Sequence, residues 1–461
     1  MNKAADVKDH GGSLAGCADL TGDERERSNL PHVVRALRHR NYRLFFGGQL
    51  ISLVGTWMQS VAQSWLVYRL TGSAALLGFV GFASQIPVFL LAPLGGSVAD
   101  RHRRRHVLIA TQTAAMLVAF VLAGLTLTGR VQVWHIVVLA TFLGVINAVD
   151  IPTRQAFAVD IVGRDDLINA IALNSSMVNG ARIVGPAVAG VLVASVGEGW
   201  CFLVNAVSFL AVIAGLLMMN MTARTSVPLP GSALGSILEG FRYVRRTRPV
   251  RALLLLLGLV SLMGMPYAVL MPVFADQILH GGPRGLGLLM GASGTGALIG
   301  ALVLAARQGI RGLSHWIARA AAGFGVSLIL FSLSRSFWLS AALLVPAGFS
   351  MMIEMAASNT MIQSLIPDVL RGRVMAVYSM MFMGMAPFGA LLAGALAHRI
   401  GAPPTVMVGG AACIVGAALF RWHLPALKDE TRQMIVALQV AGGEPAEEMT
   451  GQASVVAPRE P

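Results

Sequence analysis

Charge is scarce in this chain. Asp, Glu, Lys and Arg make up 12% of its 461 residues, about half the share of a soluble domain. That excludes a soluble fold with an ordinary surface. Cysteine is nearly absent: Cys17, Cys201 and Cys413 are scattered and odd in number, so no disulfide framework is implied. The 10 histidines show no metal-ligand spacing. A phosphate loop, a metal cluster and a nucleophile triad are all missing, which leaves enzyme chemistry without a carrier. The first residues are polar and lack the apolar core of a signal peptide. Residues 1–30 and 433–461 read as flexible tails rich in Gly, Ser, Glu and Ala.

What is abundant is apolar sequence, 55% of the chain. It falls into runs of roughly 20 or more residues, enough to cross a hydrocarbon core about 30 Å thick. Twelve spans are expected: Leu44–Tyr68, Ala74–Ala99, Val107–Leu127, Val133–Val159, Leu167–Val196, Cys201–Met221, Ala252–Ala275, Leu286–Ala306, Trp316–Ser334, Trp338–Gln363, Val374–His398 and Thr405–Trp422. The net charge of +13 is not a nucleic-acid footprint, because the arginines crowd alternate loops. Arg101 to Arg105, Arg242 to Arg251, Arg307, Arg311, Arg371 and Arg373 lie on one side. Single arginines (Arg69, Arg130, Arg284, Arg335, Arg399) lie on the other. This bias places both termini in the cytoplasm and suits anionic lipid headgroups. The organisation expected is a tail (1–42), a six-helix half (43–221), a central cytoplasmic loop (222–250), a second half (251–424) and a tail (425–461). The loop carries an amphipathic stretch, Ile237–Arg246, which serves as a tether or as a docking site.

The two halves repeat each other at a separation of 204 positions. Gly144, Gly180, Gly185, Gly190 and Gly197 are answered by Gly348, Gly384, Gly389, Gly394 and Gly401, and Asp150 is answered by Glu354. Duplicated halves with acids at matching depths suggest a transporter that rocks about a central site.

After the second span stands Gly95-Gly96-Ser97-Val98-Ala99-Asp100-Arg101-His102-Arg103-Arg104-Arg105. This resembles the major facilitator signature Gly-x-x-x-Asp-Arg-x-Gly-Arg-Arg at Gly96, Asp100, Arg101, Arg104 and Arg105. Arg103 stands where the family has glycine. In span five, Gly180, Gly185, Pro186 and Gly190 resemble the kinked Gly-Pro motif of the superfamily's drug antiporters, with small-residue packing as the plainer reading. Asn41-Tyr42-Arg43-Leu44-Phe45, Gly55-Thr56-Trp57-Met58-Gln59, Pro152-Thr153-Arg154-Gln155-Ala156 and Ala170 to Ser175 are similar to the branch of enterobactin exporters and macrolide efflux pumps. Pro272 to Ala275 and Gly285 to Met290 fit it too. The resemblance implies an all-α membrane protein of the major facilitator fold, with twelve transmembrane helices in two pseudo-symmetric six-helix halves. It also implies proton-driven export of amphipathic compounds.

The residues add their own candidates. Asp150 and Arg154 lie one turn apart in span four and share a face with Asn147 and Phe157. Glu354 is alone in span ten. A buried acid without a fixed partner can exchange a proton. Glu354, Asp150 and Arg154 are therefore the proton-coupling candidates, with a purely structural Asp150–Arg154 pair as the alternative. Asp276 is read as solvated near the outer end of span seven. Asp100, Arg101, Arg104, Arg105 and Asp160 form the expected cytoplasmic gate, with plain inside-positive anchoring as its alternative. A polar stripe on span one (Gln49, Ser52, Thr56, Gln59, Gln63) must face protein or water in lipid. Either a cavity wall or helix–helix hydrogen bonding satisfies it. Met351, Met355, Tyr378 and Phe382, from methionine-rich spans ten and eleven, are candidates for an adaptable pocket.

The function expected is proton-coupled export of a small amphipathic molecule, siderophore or drug-like, by a monomer in a bacterial inner membrane. No cofactor beyond the proton gradient, no metal and no nucleic-acid partner is expected. A facilitator, importer or lipid flippase of the same fold, or a non-transporting receptor, is the alternative.

Overall fold

A computed structural model describes residues 32–163, 166–219, 233–307, 309 and 312–440. The expected tail before residue 32, the opening of the central loop at 220–232 and the tail beyond residue 440 lie outside the described residues. A short 3₁₀ helix, His32–Arg38, leads into α1 (Arg40–Thr71), α2 (Ala74–Arg101), α3 (Arg104–Leu127), α4 (Val133–Val162), α5 (Leu167–Val196) and α6 (Glu198–Leu217). After α7 (Ala233–Arg246) come α8 (Arg248–Leu259), α9 (Tyr267–Val273), α10 (Gly282–Ala305), α11 (Leu313–Leu333) and α12 (Phe337–Ser364). The chain ends with α13 (Asp368–Phe382), α14 (Met385–Ile400) and α15 (Ala402–Val440).

Among the described residues, eleven segments are long and apolar enough to cross a bilayer. α1 is the twelfth span. Its 32 residues give a helix of about 48 Å at 1.5 Å per residue, and its polar stripe, with its glycines and terminal arginines, lowers its mean hydropathy. Two spans are less regular than their sequences suggest. Span seven contains π-helical turns at Val260–Gly264 and Phe274–Ile278, closed by i→i−5 bonds from Met265 N to Val260 O (3.0 Å) and from Leu279 N to Phe274 O (2.9 Å). Pro266 and Pro272, which lack amide donors, follow and divide them. Span eleven breaks at Met383 and Gly384, between α13 and α14. Pro152 and Pro186 each sit inside a continuous helix.

The internal repeat has a physical basis. Gly144 packs against the Ser84 carbonyl on α2, and Gly348 packs against the Ser293 carbonyl on α10. Gly185 meets Val54 and Trp57 on α1, and Gly389 meets Leu262 and Pro266 on span seven. Gly197 and Gly401 end α5 and α14 with φ of +90° and +88°, a region that disfavours any side chain. At each pair the backbone approach or dihedral admits no Cβ, so the glycine spacing tracks the duplication. The pair Gly180 and Gly384 does not correspond in this way. Gly180 faces open space, whereas Gly384 lies against Phe89 at the break in span eleven.

The ends of the molecule differ. Arg101 to Arg105, α7, Arg371 and Arg373 share what is called here the basic end. α7 docks beneath α13 through Glu239 and Arg373 (2.7 Å) and through the Tyr243 hydroxyl, which donates to the Leu365 carbonyl at 3.3 Å. The helix expected at 237–246 is thus present, starts at Ala233 and is bound to the second half. α15 runs to Val440, so residues 433–440 are helical rather than part of a flexible tail, and the boundary drawn at 425 falls inside a helix.

At the basic end the 3₁₀ helix is strapped to the start of α5. Buried Asp166 receives Arg35 (3.1 Å), Arg38 (2.9 Å) and His39 (2.8 Å), while the Asn169 side chain accepts from Ala36 N at 2.9 Å. The His39 hydrogen bond, helped by the two guanidinium groups, holds the Asp166 carboxyl below its ordinary value. A depressed folded value means that its contribution is present above the ordinary carboxylate range, near 3.9, and is lost only as pH falls through the folded value. Strap integrity should therefore be indifferent to Asp166 titration between pH 5 and 8. Asp166→Asn should raise tryptic cleavage at Arg35 and Arg38 by about 10-fold, the equivalent of about 1.4 kcal/mol. Timed proteolysis of the folded protein checks this.

Candidate functional site

A cavity of about 2060 Å³ runs between the halves, larger than the roughly 300–1,000 Å³ that suits one drug-sized ligand. It reaches the basic end, where Asp100, Val369 and Arg373 border it. At the opposite end the halves meet. Gly78 of α2 packs on Ala390 and Gly394 of α14, and Gly190 of α5 packs on Pro283 and Gly287 of α10. A Cβ on Gly287 would collide with the Pro186 carbonyl oxygen, and one on Gly190 would sit 3.0 Å from the Pro283 carbonyl oxygen, so the seam is built for glycine. Phe388 adds edge contacts with Phe82 and Phe89 across the halves, both at 6.0 Å. The Tyr68 hydroxyl donates to Asp276 at 3.3 Å, so exposed Asp276 also joins the halves. Gly190→Leu should force the α5–α10 seam apart and raise maleimide labelling of cysteines placed at outer-seam positions severalfold; unchanged labelling would show that the seam tolerates the added volume.

Most hydrogen-bonding groups of the wall lie on one half, among apolar neighbours such as Leu53, Trp57 and Phe89. The first half supplies hydrogen-bonding groups: Gln49, Ser52, Thr56, Gln59 and Gln63 from α1, and Asn147, Asp150 and Arg154 from α4. The second half supplies Met265, Pro266, Val269, Met290, Met380 and Met383. Both readings of the α1 stripe hold together, since Gln59 lines the cavity while accepting from Asn205 of α6 at 2.6 Å. Met351, Met355, Tyr378 and Phe382 lie off the wall, in contrast to the expectation. The Tyr378 hydroxyl donates to the Met355 carbonyl at 3.0 Å, which ties α13 to α12 within the second half. The methionines that do reach the cavity come from span seven, α10, α13 and the break that follows α13.

Asp150 is 3% exposed and fully engaged. Thr111 and Gln112 of α3 donate to its Oδ1 at 2.8 Å each, and Arg154 pairs with its Oδ2 at 3.2 Å. Arg154 also donates to Gln49 Oε1 at 3.1 Å. The network joins α1, α3 and α4. Glu354 has no such network: it is 1% exposed, away from the cavity wall, and its Oε1 has no hydrogen-bond partner. The two acids share a repeat position but not an environment.

The signature after α2 forms its network inside one half. Arg104 bonds Asp160 at 2.8 Å and Asp100 at 3.5 Å, so α2, α3 and α4 are tied together, and among the described residues none of these three side chains bonds to the second half. Arg104, rather than Arg105, is the partner of Asp160; Arg105 donates to the Leu217 carbonyl at 2.9 Å. Arg101 is exposed and stands outside the network. Gly96 borders the cavity, and the close approach to α4 is made by its neighbour Gly95, against Ala148. Arg182 on α5 stands between Gly180 and Gly185 of the Gly-Pro motif, a position the motif does not single out. Its signal was a cation in the middle of a 30-residue apolar helix.

Comparison with known proteins agrees with this architecture. The family described as "Transmembrane secretion effector" matches residues 33–445. The chain is 25% identical to the staphyloferrin A transporter of Staphylococcus aureus, over 81% of this chain and 93% of that one. It is 23% identical to macrolide efflux protein A of Streptococcus pyogenes (79% and 92%) and 26% identical to the enterobactin exporter EntS of Shigella boydii (78% and 85%). Among solved structures, a bacterial homologue of the iron transporter ferroportin in an inward-facing state superposes with a TM-score of 0.63 at 18% identity, covering 83% of this chain and 98% of that one. The chain belongs to the transmembrane secretion effector family, on the efflux branch of the major facilitator superfamily, and is a multi-pass membrane transporter rather than an enzyme.

Proposed function

We propose that this chain exports a small amphipathic molecule by proton-coupled alternating access, as a monomer in a bacterial inner membrane with both termini in the cytoplasm. The observation that carries the reading is the cavity itself. It is open at the basic end and sealed by glycine seams at the other, with most of its hydrogen-bonding groups on the first half and a mainly apolar, methionine-rich second half facing them. Clustered arginines favour the cytoplasmic side, so this is a state that loads from the cytoplasm. Two relatives are named for outward movement, of a macrolide and of enterobactin, and a third is named as a staphyloferrin A transporter, which supports export of amphiphiles.

Glu354 carries the proton, and Asp150 with Arg154 takes part in coupling it to cargo. One charge moving through about 100 mV supplies about 2.3 kcal/mol, which at about 1.4 kcal/mol per decade sustains roughly a 40-fold gradient of neutral cargo. The Asp100–Arg104–Asp160 network keeps α2, α3 and α4 moving as one body. Everted membrane vesicles offered a macrolide and a catecholate siderophore test the reading. Accumulation of either that collapses with a protonophore is expected. Simple equilibration that ignores the protonophore would mark a facilitator instead.

A further inference from the structure

We infer that Arg182 receives an anionic group of the transported molecule, so that the cargo is an anionic amphiphile. The inference rests on the export reading and narrows its substrate.

Arg182 lies midway along α5, on the face between α1 and α10. Its guanidinium carbon stands 5.0 Å from the centroid of the Trp57 ring, and Trp57 belongs to the cavity wall. Its Nε is buried without a hydrogen-bond partner. The carbonyl of the same residue lies where a Cβ on Gly294 would come within 3.1 Å. Arg182 does not itself line the cavity; it lies one turn beyond Val178, which does, behind Trp57 and against the closed α5–α10 seam. Tyr267, whose hydroxyl is shared with Ser293 at 2.6 Å, is close enough to interact with it electrostatically.

Other arginines around the cavity have acids. Arg154 has Asp150, Arg104 has Asp160 and Arg373 has Glu239. No carboxylate pairs with Arg182 among the described residues. A cation at mid-bilayer costs more than one aromatic face returns, so a further anion is called for at some stage of the cycle. The protein's own acids are committed or remote: Asp150 is saturated, and Glu354 lies inside the second half, off the wall. A negative group on the cargo, lodged beneath this seam, supplies the missing partner. It would bind as the seam above it prepares to part, which ties recognition to the closure it must release. The polar first-half wall then hydrates the rest of the head, and the methionine wall takes the apolar body.

The test needs no gradient. The purified full-length protein in detergent is titrated with 1-naphthaleneacetate and with its neutral amide, and binding is followed by quenching of tryptophan fluorescence. The wild type should favour the anion by at least about 10-fold, as one charge-assisted contact would give. Arg182→Gln should bind both probes equally, and Arg182→Lys should keep part of the preference. Thermal exposure of the buried thiols of Cys201 and Cys413 to a maleimide dye reports whether each variant is folded. Equal or absent binding of the anion by the wild type, or an intact preference in folded Arg182→Gln, overturns the proposal. Because export is not measured, loss of proton coupling in vesicles would leave this result standing, and the reverse holds too.

Discussion

Glu354→Gln should abolish accumulation driven by a pH gradient while leaving cargo affinity within about twofold. Glu354 sits inside the second half, 1% exposed, with Oε1 unpartnered and the Ser358 hydroxyl beside it also without a partner. A fixed charge without a partner is costly there, so the site suits a group whose charge changes during a cycle. Glutamine keeps the shape and a neutral state and cannot ionise. Since Glu354 does not line the cavity, the substitution removes no contact to cargo. The roughly 40-fold gradient that one proton sustains should fall to about 1, with counterflow exchange retained. Wild-type accumulation in this variant would remove Glu354 from the mechanism.

The second large effect concerns Asp150 and Arg154. Removing one partner of a buried pair costs about 3–5 kcal/mol when both are dry. Here the Arg154 side chain is 28% exposed, so about 2 kcal/mol is a better expectation once solvent screening is allowed for. Asp150→Asn alone leaves Arg154 with Gln49 only, and should lower thermal stability. Asp150→Asn combined with Arg154→Gln removes both charges and should restore stability, because Thr111 and Gln112 can bond an amide nearly as well. If Asp150 takes part in coupling, that restored protein still fails to concentrate cargo. Thermal unfolding and vesicle transport measured on the same double variant separate the two roles. Recovery of gradient-driven export would leave the pair a structural one.

Much of the fold was legible because lipid permits few solutions. Runs of apolar residues and the arginine asymmetry marked the spans, and the glycine pairs marked positions where helices touch backbone to backbone. Contacts made at a distance in sequence were not legible. Asp166 draws His39 from 127 positions away, and nothing local announces that. The methionines show the limit of periodicity. It does not say whether a helix face meets a cavity or a neighbouring helix, so Met351 and Met355 are expected at the pocket although Met380 and Met383 are the ones from those spans that reach the wall. The π turns follow from Pro266 and Pro272, whose missing donors leave open whether a helix breaks or widens. The acids divided for a similar reason. The repeat equated Asp150 with Glu354, but the donors that distinguish them come from α3, outside the repeated motif.

Alternating access can be tested most directly by following both ends of the cavity at once. Spin labels at Ser73 and Arg399 report the outer seam, and labels at Arg101 and Val369 report the basic end, each pair spanning the two halves. Across pH 5 to 8, the two interlabel distances should change in opposite senses, and Glu354→Gln should abolish that response. Distances that stay fixed, or that lengthen and shorten together, would contradict a transporter that rocks about a single central cavity.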